Sequence, residues 1–326
     1  MYKTPYHTQD LSKLNFLITG GVGFIGSNLV KYLLKYNAKK VRVLDDLSNG
    51  YLKNIQEFMD NPSFEFMEGD IRDLETCKKA MQDIDYVSHQ AALGSVPRSI
   101  DNPILTNEVN VSGYLNILVA QKESDTVKRL VYAASSSTYG DSKALPKVEA
   151  NIGNPLSPYA VTKLVNELYA DVFYKTYASE IIGLRYFNIF GPKQSPNGAY
   201  AAVIPLFMQA LLDGESPTIH GDGGQTRDFT YVENAVQANV RAFFADEKAI
   251  NNVYNIAFGD RISLNTLWDD LKSISKIEVS AAYGPTRRGD VRDSLADISK
   301  AKNLLGYDPL FSVKEGMRFT WEFFRD

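Results

Sequence analysis

Two side chains on one predicted helix could carry out acid–base chemistry together. Tyr159 and Lys163 are four residues apart in SPYAVTKLVNELYA, so they lie on one helix face about one turn apart. An ammonium group beside a phenol lowers the pKa of the phenol, which allows a tyrosinate to act as a base near neutral pH. Two surface residues of an amphipathic helix would show the same spacing, so the remaining motifs must decide between these interpretations.

A glycine-rich segment near the start of the chain could bind a dinucleotide. NFLITGGVGFIGSNLV has the order strand, glycine turn and helix, with Gly20, Gly23 and Gly26 spaced as GxxGxxG. Glycines permit a tight turn and let backbone amides approach a pyrophosphate at the helix N-terminus. Phe24 and Ile25 open that helix and are predicted to contact the same cofactor.

Asp45 ends the next predicted strand, about 20 residues beyond Gly26. A carboxylate there can bind the hydroxyls of the adenosine ribose and repels a 2′-phosphate, so the sequence predicts NAD rather than NADP. A cap or turn role within DDLSNG is the structural alternative for Asp45. Further cofactor contacts are predicted near the ends of the neighbouring strands, at Asn49, Gly50, Asp70, Ile71, Gln90, Ala91 and Ala92.

The elements that position these groups alternate between strand and helix. Strands are predicted at Asn15–Thr19, Lys40–Asp45, Ser63–Glu68, Asp85–His89, Arg129–Ala134 and Glu180–Arg185. Helices are predicted at Phe24–Tyr36, Asp73–Met81, Glu108–Lys122 and Tyr159–Tyr177. This alternation of apolar strands with helices predicts an α/β fold: a doubly wound parallel sheet of the Rossmann type, covered on both faces.

The alternation breaks down after about residue 188, where GPKQSPNG and HGDGGQ mark turn-rich segments. One more strand is predicted at Asn252–Ala257. We therefore predict an NAD-binding domain over residues 1–187, with a return around residues 228–260. A smaller α/β domain that binds substrate is predicted over residues 188–326.

Bulk composition argues against several classes of protein. Among 326 residues, 44% are hydrophobic and 23% are charged, and a net charge of −4 argues against nucleic acid as the main partner. The single cysteine, Cys77, and three histidines without HxxxH or HxH spacing argue against a metal site. No apolar run reaches the roughly 18 residues of a membrane span, and MYKTPYHTQDLSK does not resemble a secretory signal. A soluble cytoplasmic protein is predicted.

Together these segments resemble the extended short-chain dehydrogenase/reductase family, and within it the UDP-sugar 4-epimerases. The resemblance covers almost the whole chain except the N-terminal arm. It rests on an ordered set of motifs: TGGVGFIG, Asp45, GDIRD, HQAA, ASSSTYG, YAVTK, LRYFNIFGP, GDGGQTRDF and RRGDV. It is greatest toward bacterial UDP-N-acetylglucosamine 4-epimerases, which supply surface polysaccharides.

The resemblance implies a catalytic role for the tyrosine–lysine pair. Tyr159 would take a proton from a sugar hydroxyl, while Lys163 would hold the nicotinamide ribose and favour the tyrosinate together with the oxidised nicotinamide. Ser135 in ASSSTYG matches the catalytic hydroxyl position and would share the hydrogen bond of that sugar hydroxyl. Asn110 matches the asparagine that supports the active-site helix and its lysine.

The reaction is indicated by the residues that follow the catalytic hydroxyl. Dehydratases of this family carry Thr-Asp-Glu there, and decarboxylases commonly carry a glutamate, whereas this chain has Ser135, Ser136 and Ser137. Because elimination of water needs an additional acid and base, epimerisation at carbon 4 is favoured. A dehydratase or decarboxylase remains the closer alternative, and a non-catalytic dinucleotide-binding regulator the more distant one.

The resemblance also implies the contacts of the substrate. Nucleotide contacts are expected at Asn188, Ala202, Val203, His220, Arg227, Arg287 and Asp290. Contacts near the sugar are expected at Ser95, Arg98, Ser135, Ser136, Ser137, Tyr159 and Ser294. Some epimerases of unmodified hexoses have a tyrosine at the position of Ser294, so the serine leaves room for a 2-acetamido group. UDP-N-acetylglucosamine is therefore the predicted substrate, with activity on UDP-glucose and UDP-galactose as a secondary expectation.

The helices Glu108–Lys122 and Tyr159–Tyr177 have more apolar positions than one sheet face needs. In the family that this chain resembles, these helices pair with their symmetry mates in a four-helix bundle. A two-fold homodimer is therefore expected.

Overall fold

A seven-stranded parallel sheet forms the centre of the computed structural model, which describes residues 1–197, 201–286 and 292–325. In chain order the strands of these residues are β1 (Asn15–Thr19), β2 (Lys40–Asp45), β3 (Phe64–Glu68), β4 (Tyr86–His89), β5 (Arg129–Ser135), β6 (Ile181–Tyr186), β7 (Ile189–Phe190), β8 (Thr218–His220), β9 (Thr226–Arg227), β10 (Thr230–Tyr231), β11 (Asn252–Ile256), β12 (Ile262–Ser263) and β13 (Ala282–Gly284).

The central sheet has the order β11-β6-β5-β4-β1-β2-β3. The order reverses between β1 and β4, where Thr19 lies beside Leu44 on one side and His89 on the other. Such a reversal opens a crevice at the carboxyl ends of the strands, which is where doubly wound sheets bind ligands. The predicted fold class is confirmed.

Helices cover both faces of this sheet and build the smaller C-terminal part. They are α1 (Phe24–Lys35), α2 (Leu74–Ala80), α3 (Val96–Asp101), α4 (Pro103–Asn107), α5 (Tyr114–Lys122), α6 (Pro158–Tyr177), α7 (Val203–Asp213), α8 (Val232–Phe243), α9 (Leu264–Ser275), α10 (Ser299–Leu305) and α11 (Val313–Arg325). One apolar core lies between the sheet, α1 and α8, and a second lies between the sheet, α2, α5 and α6. A third core joins α7, α9 and α11.

The helix predicted at Glu108–Lys122 is not continuous α-helix. Its first part, Glu108–Gly113, is π-helical, and α5 begins at Tyr114. A Cβ atom at Gly113 would lie 2.6 Å from the side chain of Ile71, so the π-helical part packs closely against the segment that follows β3. Apolar periodicity does not distinguish this geometry from an α-helix.

The short helices α3 and α4 were not predicted. Ser95 caps α3 by accepting a hydrogen bond from the Arg98 amide, and Asn102 caps α4 by accepting one from the Leu105 amide. Each helix has a proline within its first two positions, at Pro97 and Pro103. A capping residue followed by proline is the signal that could have identified both helices.

The chain returns to the central sheet through α8 and β11. Helix α8 packs against β5, β6 and α1, and β11 pairs with β6 in parallel register. The residues nearest the C-terminus, by contrast, pack through α11 onto α9 and α7.

The N-terminal arm is anchored on α1 and α8 by aromatic and polar contacts. The Tyr6 ring stacks on Tyr32 at a centroid distance of 5.1 Å, and Tyr2 meets the same ring edge-on. The carboxylate of Glu233, which is buried, accepts a hydrogen bond of 2.8 Å from the Tyr6 hydroxyl and another from the Tyr2 amide. The arm is therefore part of the first core.

Candidate functional site

The glycine turn brings the backbone of β1 and α1 together with the end of β4. Gly20 has φ +69°, and a Cβ atom there would lie 2.6 Å from the Ala91 amide nitrogen. A Cβ atom at Gly26 would lie 2.3 Å from the Gly20 carbonyl oxygen, while the Gly23 amide donates a 3.1 Å hydrogen bond to that oxygen. Because side chains would collide at two of these positions, the turn needs glycine there. Phe24, Ile25 and Gly26 form the first turn of α1.

Asp45 lies at the carboxyl end of β2, on the other side of this turn. Its two carboxylate oxygens accept hydrogen bonds of 3.0 Å from the amides of Val22 and Leu47. Burial raises the pKa of Asp45, and these two hydrogen bonds oppose that rise. The carboxylate thus stabilises the local turns and also lines the crevice, so the structural and the binding interpretations of Asp45 are compatible.

A narrow cavity of about 90 Å³ runs along this edge of the sheet, and we call it the cofactor cleft. The residues predicted to bind cofactor that line it are Gly20, Gly23, Asp45, Asn49, Gly50, Ile71, Gln90, Ala91 and Ala92. Asp70 is turned to Arg72, whose guanidinium lies 2.6 Å from its carboxylate. The cleft places amides and a carboxylate where a pyrophosphate and a ribose would need them.

The predicted catalytic residues meet where β5 ends and α6 begins. The Ser157 hydroxyl caps α6 by accepting a 3.2 Å hydrogen bond from the Ala160 amide, which places Tyr159 in the first turn. Ser135 is the last residue of β5, and its hydroxyl interacts with the phenol of Tyr159 and acts to lower the pKa of that phenol. The Lys163 ammonium lies 6.0 Å from the centre of the Tyr159 ring.

Asn110 ties the π-helical segment to α6 behind this group. Its side-chain amide donates a 3.2 Å hydrogen bond to the Thr162 hydroxyl, and its carbonyl oxygen accepts one of 2.9 Å from Asn166. Lys163 instead donates to the Ala133 carbonyl oxygen at 2.8 Å. Asn110 therefore supports the active-site helix through the residues on either side of Lys163.

Burial changes the acid–base properties of the pair in a direction that the sequence did not predict. Burial raises the pKa of Tyr159, although the hydrogen bond from Ser135 opposes the rise. Burial also lowers the pKa of Lys163 to about 8, with the Glu167 charge opposing it. Burial therefore works against a tyrosinate in the protein alone, and the lowering of the phenol pKa by Lys163 stays a prediction.

Two larger cavities hold most of the predicted substrate residues, and Ser135 is the predicted catalytic residue that lines one of them. The inner cavity, of about 680 Å³, is bounded by the predicted substrate residues Ser135, Ser136, Ser137, Asn188, Arg227 and Ser294. The outer cavity, of about 480 Å³, is bounded by the predicted residues Asn188, Val203, His220 and Arg227. Asn188 and Arg227 border both cavities, so the two cavities share a wall.

Some predicted substrate residues lie elsewhere. The Arg98 guanidinium donates a 3.0 Å hydrogen bond to Asn49, which places it beside the cofactor cleft. Ser95 caps α3, and Ala202 precedes α7 without lining either cavity. Arg287 and Asp290 lie outside the residues that the structure describes.

Sequence reasoning missed several residues of the inner cavity, namely Val96, Ile100, Tyr139, Lys147, Leu156 and Asp293. Lys147 is buried and donates a hydrogen bond to the Ser142 carbonyl oxygen. Asp293 accepts a 2.6 Å hydrogen bond from the Thr226 hydroxyl, which together with Arg261 lowers the pKa of its carboxyl. Neither charge follows from a local pattern, because both face the cavity from irregular loops.

No group of three or more His, Cys, Asp or Glu side chains in residues 1–197, 201–286 and 292–325 is placed to hold a metal ion. Within the same ranges, no helix has the length and apolar character that crossing a bilayer requires.

Comparison with known proteins places this geometry in a family. The family model described as GDP-mannose 4,6 dehydratase matches residues 17–320. A UDP-glucose 4-epimerase from Mycolicibacterium smegmatis is 34% identical over 311 residues, which cover 95% of this chain and 98% of that protein. The chain belongs to the extended short-chain dehydrogenase/reductases.

Solved structures of this family superpose closely on the chain. A UDP-N-acetylglucosamine 4-epimerase from Methanobrevibacter ruminantium, in complex with UDP-N-acetylmuramic acid, has a TM-score of 0.90 and 37% identity, with 96% of this chain and 98% of that one covered. A UDP-glucose 4-epimerase from Thermotoga maritima with UDP-glucose has a TM-score of 0.89 and 36% identity, with 96% and 99% covered.

Related structures with a dinucleotide cover more than one reaction. A UDP-glucuronic acid 4-epimerase from Bacillus cereus, with UDP-glucuronic acid and NAD, has a TM-score of 0.88 and 32% identity, with 96% and 99% covered. A dTDP-glucose 4,6-dehydratase from Streptomyces venezuelae with NAD has a TM-score of 0.87 and 29% identity, with 96% and 97% covered. The family therefore agrees on the cofactor, and the reaction has to be argued from the site.

Proposed function

We propose that this chain is a UDP-sugar 4-epimerase that uses NAD and interconverts UDP-N-acetylglucosamine and UDP-N-acetylgalactosamine. The observation that carries the proposal is the inner cavity, in which hydroxyl groups occupy the turn after β5 and Ser294 forms part of the wall. The cavity offers room for a sugar to turn, and Tyr159, which interacts with the lining residue Ser135, is the group that would transfer the proton.

The cofactor cleft fits NAD. The turn at Gly20 and Gly26 leaves no space for side chains where the pyrophosphate approaches, and Asp45 presents a carboxylate where a ribose diol can donate hydrogen bonds. NAD supplies the capacity to accept a hydride from carbon 4 of the sugar and to return it. A carboxylate at this position also disfavours the 2′-phosphate of NADP.

Side chains of the protein orient the sugar, transfer the proton and hold the nucleotide. Ser135 orients the hydroxyl group on carbon 4, and Tyr159 takes and returns its proton. Lys163 holds positive charge beside the phenol, so it offsets part of the cost of a buried tyrosinate. Arg227 and Asn188, which border both cavities, hold the nucleotide end while the 4-keto sugar turns between the two hydride transfers.

An N-acetylated sugar is favoured by the small side chains of the inner cavity. Ser135, Ser136, Ser137 and Ser294 leave space that a larger residue would fill, and their hydroxyl groups can hydrogen-bond an acetamido group. UDP-glucose and UDP-galactose are smaller and fit the same space, so a secondary activity on them is expected.

Dehydration is the alternative reaction, and the charges in the inner cavity argue against it. Elimination of water needs a carboxyl group that can give up a proton. Asp293 is the carboxyl among the described residues of this cavity, and its hydrogen bond from Thr226 and its pairing with Arg261 lower its pKa. It is therefore held in the ionised form and is a poor acid.

The test is to incubate the purified protein with UDP-N-acetylglucosamine and no added NAD, and to follow the sugar by NMR. We expect UDP-N-acetylgalactosamine to form with the carbon 2 acetamido group retained. UDP-glucose, UDP-glucuronic acid and dTDP-glucose serve as parallel substrates. Formation of a 4-keto-6-deoxy sugar would indicate a dehydratase, and faster turnover of UDP-glucuronic acid would indicate a different epimerase specificity. Tyr159→Phe is the inactive control.

We further propose a two-fold homodimer built on α6. Val161, Leu168 and Val172 are 48%, 60% and 51% exposed, and their spacing puts them on one helix face. Ile104 of α4, which packs beside α6, is 73% exposed. A second copy would bury these side chains in the four-helix bundle expected for the family.

Light scattering at micromolar concentration tests the dimer. We expect twice the 36.4 kDa mass of one chain for the parent and a shift toward one chain for Leu168→Glu. Leu310→Glu is a matched control, because Leu310 is 47% exposed but precedes α11 and lies outside the α6 face. A parent protein of single-chain mass would contradict the proposal.

A further inference from the structure

Asp228 is a buried carboxyl group behind the wall of the two substrate cavities. It is 0% exposed and follows Arg227 directly in the chain. Its carboxylate accepts hydrogen bonds of 3.1 Å from the Phe258 amide, 3.2 Å from the Gly259 amide and 3.1 Å from the Ala296 amide. One side chain thus joins three segments that are distant in sequence.

The segment of Phe258 and Gly259 belongs to the rigid part of the fold. Phe258 and Gly259 follow β11, which is hydrogen-bonded to β6 in the central sheet. The backbone of Asp228 adds a link on the other side, because its carbonyl oxygen accepts a 3.0 Å hydrogen bond from the side chain of Asn188. Asn188 and Arg227, which border both cavities, are therefore tied to the sheet through Asp228.

The third segment is the one that carries Ser294. The Ser294 amide donates a 3.1 Å hydrogen bond to the Thr226 carbonyl oxygen, and the Arg227 guanidinium donates one of 3.0 Å to the Arg292 carbonyl oxygen. Beyond Ser294 this wall has two kinds of attachment. The carbonyl oxygen of Leu295 and the amide of Asp297 pair with the backbone of Lys147 through hydrogen bonds of 2.7 and 2.9 Å. Between them, the Ala296 amide donates to Asp228, and this bond links the far end of the wall to the segment of Arg227.

A carboxylate suits this position better than its neutral analogue. Four lone-pair directions on two oxygens can accept three amide hydrogen bonds, whereas an asparagine side chain replaces one acceptor oxygen with a donor NH₂ group. Burial raises the pKa of Asp228 to about 7, and the three amide hydrogen bonds oppose that rise. The amides are therefore what stabilises the charged form in this buried place.

We propose that Asp228 is a positioning residue that sets the width of the inner cavity by holding the Ser294 wall against Arg227, Asn188 and the central sheet. It touches no substrate and acts through the Ala296, Phe258 and Gly259 amides. The proposal rests on the proposed function in one respect, that the inner cavity receives the hexose. If the hydrogen bond between Ala296 and Asp228 is lost, the contacts to the nucleotide remain. The segment of Ser294 can then move, and the inner cavity becomes wider around the sugar.

The experiment measures Kd by calorimetry and kcat/KM for UDP-N-acetylglucosamine and UDP-glucose, in the parent and in Asp228→Asn. We expect the preference for the N-acetylated sugar to fall about 10-fold, since small misplacements of a positioned group have effects of that order or larger. KM should rise more than kcat falls, and the content of bound NAD should stay at the parent level. Asp260→Asn is the matched control, because it removes an exposed carboxylate one residue beyond Gly259 and should leave the preference unchanged.

Ala296→Pro provides a second variant that removes the Ala296 N–H donor and leaves the Asp228 side chain intact. It should shift the sugar preference in the same direction, and it carries the test if Asp228→Asn does not fold. An unchanged preference in the folded variants, or equal losses with both sugars, would overturn the proposal. Affinity needs no turnover, so a parent that binds these sugars without epimerising them would count against the proposed function alone.

Discussion

The cofactor cleft and the two substrate cavities are built in opposite ways. The cleft is narrow, about 90 Å³, and much of it is backbone at the ends of long parallel strands. The inner and outer cavities measure about 680 and 480 Å³ and are lined by side chains from helices, short ladders and loops. A narrow site holds one ligand in one orientation, whereas a wide site allows a bound group to turn.

This difference matches the proposed reaction. The dinucleotide has to stay in place through both hydride transfers, while the 4-keto sugar has to present its two faces in succession. Contacts that are rigid on the cofactor side and few on the sugar side satisfy both needs. Substitutions should therefore fall into two groups. Those in the cleft should reduce retention of NAD, and those in the cavities should change the kinetics with the sugar substrates.

Tyr159→Phe should give the largest effect, because Tyr159 is the proposed proton acceptor. The change removes the proton acceptor and keeps the ring, so turnover should fall about 10²- to 10⁴-fold. NAD content and affinity for UDP should remain close to the parent. Steady-state kinetics on UDP-N-acetylglucosamine measures this, with Tyr174→Phe on the same helix as control. Near-parent turnover would show that another group is the base.

Gly26→Ala should disrupt the cofactor side alone. Its Cβ atom would lie 2.3 Å from the Gly20 carbonyl oxygen, and neither backbone can move without opening the turn. Overpacking costs about 1–3 kcal/mol, so retention of NAD should weaken roughly 5- to 150-fold. The NAD released on denaturation of the purified protein measures this. Gly224→Ala is the control, because the nearest atom to its Cβ would be the Asp222 carboxylate at 3.2 Å. Full NAD content in Gly26→Ala would contradict the rigid-cleft interpretation.

Ser294→Tyr should affect the sugar side alone. A ring in the wall of the inner cavity would occupy the space of the acetamido group, at a cost of about 1–3 kcal/mol or roughly 5- to 150-fold in kcat/KM. UDP-glucose lacks that group and should lose much less. The ratio of the two kcat/KM values is the measurement, and bound NAD should not change. Equal losses with both sugars would mean that Ser294 does not select substrate size.

Asp45→Asn should have the smallest effect of the four. The amide can still accept one hydrogen bond from Val22 or Leu47, but it leaves the other amide unpaired and loses the charge that faces the ribose. Retention of NAD should weaken by about 1–2 kcal/mol, or roughly 5- to 30-fold, and discrimination against NADP should decrease. Identification of the nucleotide released from parent and variant tests this. NADP as the main nucleotide in the parent would contradict the assignment.

Local pattern was sufficient for the central sheet. The predicted strands at Asn15–Thr19 and Lys40–Asp45 agree with β1 and β2 at both ends. Buried parallel strands are nearly continuous apolar runs, so their limits can be read from adjacent residues. The glycine turn, Asp45 and the Tyr159–Lys163 spacing are equally local, and the sequence by itself indicated the cofactor cleft and the catalytic group.

What depends on distant residues was decided only by the tertiary structure. The Tyr159 phenol is harder to ionise than its neighbour Lys163 suggested, because burial is a property of the packed molecule. Arg98 lies against Asn49, and Asp228 joins Phe258 and Ala296, through contacts that span many residues of chain. No local periodicity encodes such contacts, since they arise from where several loops end in space. The sequence therefore determined the chemistry available to this protein, whereas the packing of the loops decided the width and shape of the site in which that chemistry takes place.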